Sequence, residues 1–504
     1  RDRSVSRGLG DVYKRQGLTV AAALTACGSS GTQDAGGSQT ADRGEYDLKI
    51  LNFKGEIADD LSKMCREYEK EFGVKVDEFT IGTGEDINGI MRAAMNSEDK
   101  PSLYSCGGNF IEWKEGGYIL DLSTVEDTEF QEFMQTVNDD MILKDLDGNG
   151  SYGVPLCVEG YGFIADKRML SDILGADKVD AFLTDYKKAT YEEYEAMVNA
   201  LDTFIKDGKE VTFTLNKTEY TTQAKSGLAE NLYGVFSVAG ADPWTYVGHY
   251  VTGPVSSVLK TERDALLAAP EQVDKLNGGL QAYVKALELA TAHTAGQNGA
   301  LSRGDEYIQS VTNGYDQAVQ NFALGKSVLL AQGTWAYTKI IGENPETADS
   351  LVMLPFKFPL TQQDICVEGY TPETINQDVV QLIPQYWAVN AKVSEKEQKE
   401  AERFLKWMHT SETGRKYITE IFKFVPYNAT EEMDLGNSLN NSFLSYQLEG
   451  NVYNYAAAGA PGGWSDEVGA KVKEEYLTKE TWSKEDMDTL VEFMISDWKG
   501  RLEN

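Results

Sequence analysis

The stretch YDQAVQNFALGKSVLLAQGTWAYTKI, residues 315 to 340, reads as a helix, a stop, a buried strand and a turn. Ala318, Val319 and Phe322 recur at helical spacing and give that helix one apolar stripe. Gly325 stands where a helix end favours the left-handed conformation, which glycine takes without a Cβ penalty. VLLA, residues 328 to 331, is a short apolar run suited to a strand covered on both faces. Gly333 then turns the chain and presents Trp335. The embedded ALGKS is no phosphate loop, because its leading glycine would fall at Gln320 and a helical pattern, not a strand, precedes it.

The same alternation runs through the N-terminal part of the chain. DLKILNF (47 to 53) and VKVDEFTI (74 to 81) read as strands, and SLYSC leads from a third strand into GGNF. Between them, Ile57, Leu61, Met64, Cys65, Tyr68 and Phe72 mark one helix and EDINGIMRAAMNS (85 to 97) a second. A β-α-β-α-β order predicts an α/β fold with a mostly parallel sheet, with ligands gathered at the loops beyond the carboxyl ends of its strands. Those loops are Lys54 to Glu56, Gly82 to Glu85 and Gly107 to Phe110. GTGEDING (82 to 89) lacks the GxGxxG spacing, and Glu85 and Asp86 at the helix start would repel a phosphate.

Composition excludes several classes. With 504 residues, 41% hydrophobic and 25% charged, the chain buries a large core in two or more lobes. A net charge of -33 argues against nucleic acid, whose phosphates need a basic face, and disfavours an anionic ligand. Cys65, Cys106, Cys157 and Cys366 are irregularly spaced, and His249, His293 and His409 are far apart, so neither a metal nor a cofactor is expected. Two disulfides are possible in an exported chain, without an assignable pairing. DLDGNGSYG (145 to 153) matches half of a calcium loop, but Leu156 occupies the position of the bidentate Glu, so a turn is the favoured reading.

At the N-terminus, Lys14 and Arg15 precede the apolar run GLTVAAALTA (17 to 26), as in a signal peptide. Leu24-Thr25-Ala26-Cys27 resembles the bacterial lipobox, which implies a lipid on Cys27 after cleavage of residues 1 to 26. The Gly/Ser/Thr/Gln/Asp tract that follows cannot build a core, so residues 27 to 45 are expected to be a flexible tether. Residues 1 to 16 begin without Met, resemble translated adapter sequence and are left out of the fold reading.

Three segments in order resemble the extracellular solute-binding proteins of carbohydrate ABC transporters, the maltose-binding type (family 1). SYGVPLCVEGYGFIADKRMLSDILG (151 to 175) is similar to the family's first crossing between lobes. Residues 315 to 340 are similar to its helix, Gly, buried strand and Gly-x-Trp pattern. YWAVNAKVSEKEQKEAERFLKWMHTSETGRKYI (386 to 418) resembles its post-crossover helix pair, with a capping box at Ser394 and Glu397 and a stripe of Ala401, Phe404, Leu405 and Met408. The resemblance covers nearly the whole mature chain. It implies a two-lobe periplasmic-binding-protein type II fold with three inter-lobe crossings, residues 46 to 158 plus 362 to 425 forming one lobe and 159 to 361 plus 426 to 504 the other.

By the same resemblance the protein catalyses nothing. It closes its lobes on a carbohydrate and delivers it to ABC permease subunits, as a monomer held by its lipid at the outer face of the bacterial cytoplasmic membrane. A sugar presents C-H faces and hydroxyl edges, so its pocket wants aromatic plates, carboxylates and amides. Trp335 is the leading stacking candidate, with core packing as its alternative. Trp244, in the loop AGADPWTYVG, follows, then Tyr161 and the Trp464 of GAPGGWSD. Glu159 lies four residues after Pro155, where maltose-binding relatives carry a ligand-bonding Glu. An acid in an apolar strand either faces the water of the cleft or accepts strong hydrogen bonds. Asn109 is a further amide candidate. Asp166-Lys167 replaces the family's Asn-Lys, Ala165 stands where Tyr is usual, and the chain is longer, so maltose itself is not implied. The rival readings are a secreted glycoside hydrolase, which needs two carboxylates at a set separation, and a binder of a non-sugar solute such as a peptide or polyol.

Overall fold

The computed structural model describes residues 46–82, 86–107 and 110–502. The signal peptide, Cys27, the tether and Asn109 lie outside the described residues. The chain first lays down β1 (Leu48–Asn52), β2 (Val76–Thr80), β3 (Leu103–Cys106) and β4 (Val154–Pro155). It then passes to a second sheet for β5 (Glu159–Asp166), makes a separate hairpin from β6 (Thr212–Leu215) and β7 (Thr218–Thr221), and continues through β8 (Gly234–Ser237), β9 (Thr294–Ala295), β10 (Ala300–Leu301), β11 (Ser327–Gly333), β12 (Leu351–Leu354) and β13 (Val379–Leu382). It returns for β14 (Tyr386–Val389) and ends its strands with β15 (Val452–Asn454) in the second sheet.

The first sheet has the order β2-β1-β3-β14-β4, with β1 parallel to both neighbours and β14 antiparallel to β3 and β4. The second has the order β10-β9-β8-β11-β5-β13-β15, with β12 also paired to β5. Each sheet with its covering helices is one lobe.

Local sequence explains the elements that flank the cleft. The helix Ala58–Phe72 buries Leu61, Met64, Cys65 and Tyr68 and stops at Gly73, which is left-handed at φ 67°. The helix Glu395–Thr410 begins with the Ser394/Glu397 capping box and buries Ala401, Phe404, Leu405 and Met408. The helix Tyr315–Ala323 buries Ala318, Val319 and Phe322, and Gly325 follows at φ 74°. The 145–150 segment is a turn. Asp145 Oδ1 accepts from the amides of Asp147 (3.0 Å) and Asn149 (2.7 Å), while Lys114 Nζ takes Oδ2 at 3.1 Å. Among the described residues no group of His, Cys, Asp and Glu is arranged to hold a metal. Cys65, Cys106, Cys157 and Cys366 are all free thiols. No helix among the described residues is long and apolar enough to cross a membrane.

The chain crosses between the sheets three times, and the crossings lie side by side. Leu156 N donates to Gln385 O at 3.2 Å, and Val158 N to Val425 O at 2.9 Å. The second crossing falls at 383 to 385, not at 362 as the resemblance implies. Residues 362 to 382 stay with the second lobe, where Ile375 joins its core and β13 pairs with β5 and β15. QDVVQLIPQYWAV is one extended run, and Pro384, which has no N–H to donate, interrupts it. Its first half therefore completes the second sheet and its second half the first.

Two aromatic expectations are corrected here. Trp464 opens the helix Trp464–Lys471, is 0% exposed, and packs edge-on to Trp498 at 4.9 Å with its indole N–H on Met494 O at 2.9 Å. It joins the C-terminal helix to the second core and faces no cleft. Tyr161 is 1% exposed in the middle of β5, and its hydroxyl donates to the His249 carbonyl. It supports other rings from behind.

Candidate functional site

Gly333 decides where Trp335 lies. A Cβ there would fall 2.1 Å from the indole Cζ3, so the ring rests on the bare α-carbon at the end of β11. Gly333 also faces Tyr161 across the β5–β11 ladder, which puts Trp335 beside the phenol, 6.1 Å between centroids. The indole N–H is held by Gln332 Oε1 at 3.0 Å. Trp335 is half-buried and packs against the buried hydrophobic residues around it. Gly333→Val is expected to cost about 1–3 kcal/mol by overpacking and to dislodge the indole. Denaturant unfolding would show this, whereas Gly462→Val, with nothing within 4 Å of its added carbon, should change little.

Around Trp335 the second lobe assembles a cluster of rings on His249, which lies in the π-helical turn Trp244–Tyr250. The imidazole meets Tyr161 at 4.8 Å, Trp335 at 5.0 Å, Trp244 at 5.4 Å and Tyr455 at 5.4 Å, the last nearly parallel at 22°. Burial lowers its pKa to about 3, so the ring is neutral at physiological pH. Trp244 is 42% exposed and reaches Tyr315 at 5.4 Å. Asp242 Oδ2 accepts from Tyr315 N at 2.6 Å, which ties the AGADPW loop to the start of the 315–323 helix.

The opposite wall comes from the first lobe and the crossings. Asn52, fully buried at the end of β1, brackets the next loop by bonding both Lys54 N (3.1 Å) and Lys54 O (3.0 Å). The Lys54 ammonium thereby sits between Glu159 Oε1 at 2.9 Å and Glu56 Oε1 at 2.8 Å, and 4.8 Å from the Phe424 ring centroid. Lys54 and Glu159 are both buried. Burial works to discharge the ammonium, but Glu159 and then Glu56 overcome it and hold its pKa above the ordinary lysine value. Glu159 is thus neither free in solvent nor unpaired: it accepts one strong, charge-assisted hydrogen bond beside the first crossing.

The two walls face each other. The Tyr315 phenol is raised by burial first and then by Asp316, Glu56 and Glu159, the last two on the opposite wall. At the other end, Glu262 raises the phenols of Tyr455 in the second lobe and Tyr386 in the first, after their own burial. Next to it, Arg263 Nε donates across the lobes to Leu146 O at 2.5 Å. Trp335 and Trp244 therefore come together on His249 with Tyr161 behind them, while Glu159 is held by Lys54 and Trp464 lies elsewhere. His249, Tyr315, Tyr455 and Glu262 were not singled out from sequence. Only the Lys54 to Glu56 loop carried a signal, its place beyond the carboxyl end of a strand.

Two α/β lobes joined by three adjacent crossings, paired antiparallel at Val158 and Val425 and between β4 and β14, make a two-lobe architecture. Residues 63–438 match the model of the bacterial extracellular solute-binding protein family, and the chain belongs to that family. The hydrolase alternative is set aside on that ground. Solved structures similar to it include the solute-binding protein RafE in complex with raffinose, at 15% identity, TM-score 0.59, covering 90% of this chain and 99% of that one. The apo form of RafE is from Streptococcus pneumoniae. The binding protein MsmE of Bacillus subtilis, in an open conformation, matches at 17% identity and TM-score 0.57, covering 90% and 97%. A chitin oligosaccharide binding protein matches at 14% identity and TM-score 0.57, covering 91% and 99%. No curated protein sequence matches the chain.

Proposed function

We propose that the protein captures a sugar or oligosaccharide between its lobes and delivers it to an ABC transporter permease. The observation that carries this reading is the aromatic surface of Trp335, Trp244, Tyr315 and Tyr455 opposite the Lys54–Glu56–Glu159 group. Rings offer their faces to sugar C–H groups, and carboxylates accept hydroxyl donors. The ligands bound in similar structures, raffinose, stachyose and the blood group A trisaccharide, support the same class. Closure of the lobes buries the solute, and the ligand's own contacts supply the energy difference between open and closed forms. In this proposal Asn109 adds an amide to the site, and lipid on Cys27 holds the monomer at the outer face of the cytoplasmic membrane.

Thermal unfolding in the presence of mono- and oligosaccharides, peptides and polyols tests the reading. A ligand at about a hundred times its dissociation constant adds about 2.7 kcal/mol to stability and raises the midpoint. One sugar class is expected to do so, and Trp335→Ala to remove the ligand-dependent rise measured from the variant's own unliganded midpoint. A rise with a peptide or polyol and none with any sugar would refute it.

A further inference from the structure

The charges facing the cleft are arranged to select among sugars, an inference that rests on the sugar reading above. Lys54 is bonded to both Glu56 (2.8 Å) and Glu159 (2.9 Å), so that trio carries a net negative charge. Lys339, 5.4 Å from the Tyr315 ring centroid, is paired with Asp316. Arg263 spends its Nε on the Leu146 carbonyl at 2.5 Å, with its guanidinium beside the Gly148 turn. Each of these cations is engaged by the protein itself. The carboxylates are more open: the side chains of Glu56 and Asp316 are 53% and 67% exposed. His249, in the middle of the rings, supplies no charge.

We infer that the cleft takes an uncharged saccharide and rejects one that bears a carboxylate. A uronate would enter a partly desolvated site where, among the described residues, Lys54, Lys339 and Arg263 are already engaged, and would meet the net negative charge of the Lys54–Glu56–Glu159 trio. Juxtaposed like charges in such a place are a strong means of excluding the wrong partner. The net charge of -33 extends the same repulsion to the approach. A neutral sugar loses nothing by this arrangement, since its hydroxyls donate to the same carboxylates while its C–H faces lie on the rings. The fold sets up the discrimination by using the Lys54 ammonium to anchor Glu159 near the crossings, not to meet ligand.

Calorimetric titration of the protein with matched pairs tests this: gluco-, galacto- and xylo-oligosaccharides against their glucuronate- or galacturonate-containing counterparts, at neutral pH and at low and high ionic strength. The neutral member of one pair is expected to bind, and its acidic counterpart to bind at least about tenfold more weakly. The gap should narrow at high salt, where like-charge repulsion is screened, and in Glu56→Gln. Equal or tighter binding of the acidic member overturns the inference and leaves the sugar reading standing. If no sugar of either kind binds, the sugar reading falls, and this inference with it.

Discussion

Lys54→Met is expected to destabilise the protein by about 3–5 kcal/mol, although the side chain lies beside a binding cleft and not in the middle of a core. Its ammonium is the hydrogen-bond partner of Glu159, and both residues are buried where the crossings meet. Methionine fills a similar volume but leaves a carboxylate out of water without a counter-charge. That is the costly way to break a buried pair, whereas removing both charges at once costs much less. Lys54→Met combined with Glu159→Leu should therefore recover most of the loss, and a double-mutant cycle in denaturant would read the coupling directly. A single variant within about 1 kcal/mol of the parent would show that Glu159 reaches water or another donor once Lys54 is gone.

Lys357→Met should cost about 3 kcal/mol near neutral pH and more in alkali. Lys357 is 0% exposed, and its ammonium donates to three carbonyls, Lys187 O at 2.9 Å, Ala189 O at 3.2 Å and Asn376 O at 2.7 Å. Methionine would leave all three acceptors buried and unpaired. Burial also lowers the pKa of this lysine from 10.5 to about 7. Below that value the group is protonated folded and unfolded alike, and its titration adds no slope. Above it the folded form releases a proton that the unfolded chain keeps up to about its ordinary pKa, so stability gained from this group rises with pH in that window. The deficit of Lys357→Met relative to the parent should accordingly widen by about 2 kcal/mol between pH 7 and about pH 9, and unfolding curves at the two pH values would show it. A deficit independent of pH would mean that the ammonium stays charged inside the fold.

How much of this was legible in sequence depends on the range over which each feature is encoded. The capping box at Ser394 and Glu397, the left-handed Gly325, the turn at Asp145 and the core face with Cys65 are all local. Spacing, a cap or a turn residue within a few positions defines each of them, and the structure forms each as read. The strand-helix alternation that implies an α/β fold is local in the same sense. Trp335 beside Gly333 was also readable, because the glycine and the ring that needs its space are two residues apart.

Sequence by itself thus determined which segments become strands and helices, which face of each is apolar, and the family pattern of two lobes. Only the tertiary structure decided against what those faces pack. Tyr161 and Trp464 carry the same aromatic signal as Trp335, yet one lies under His249 and the other against Trp498. The run around Pro384 gives no sign of which half joins which sheet until β5 and β3 are there to pair with it. Lys54 and Glu159 meet across 105 positions of chain. Periodicity records that a side chain is buried, but the identity of its neighbours is set by contacts between distant elements, which exist only once the lobes and their crossings have formed.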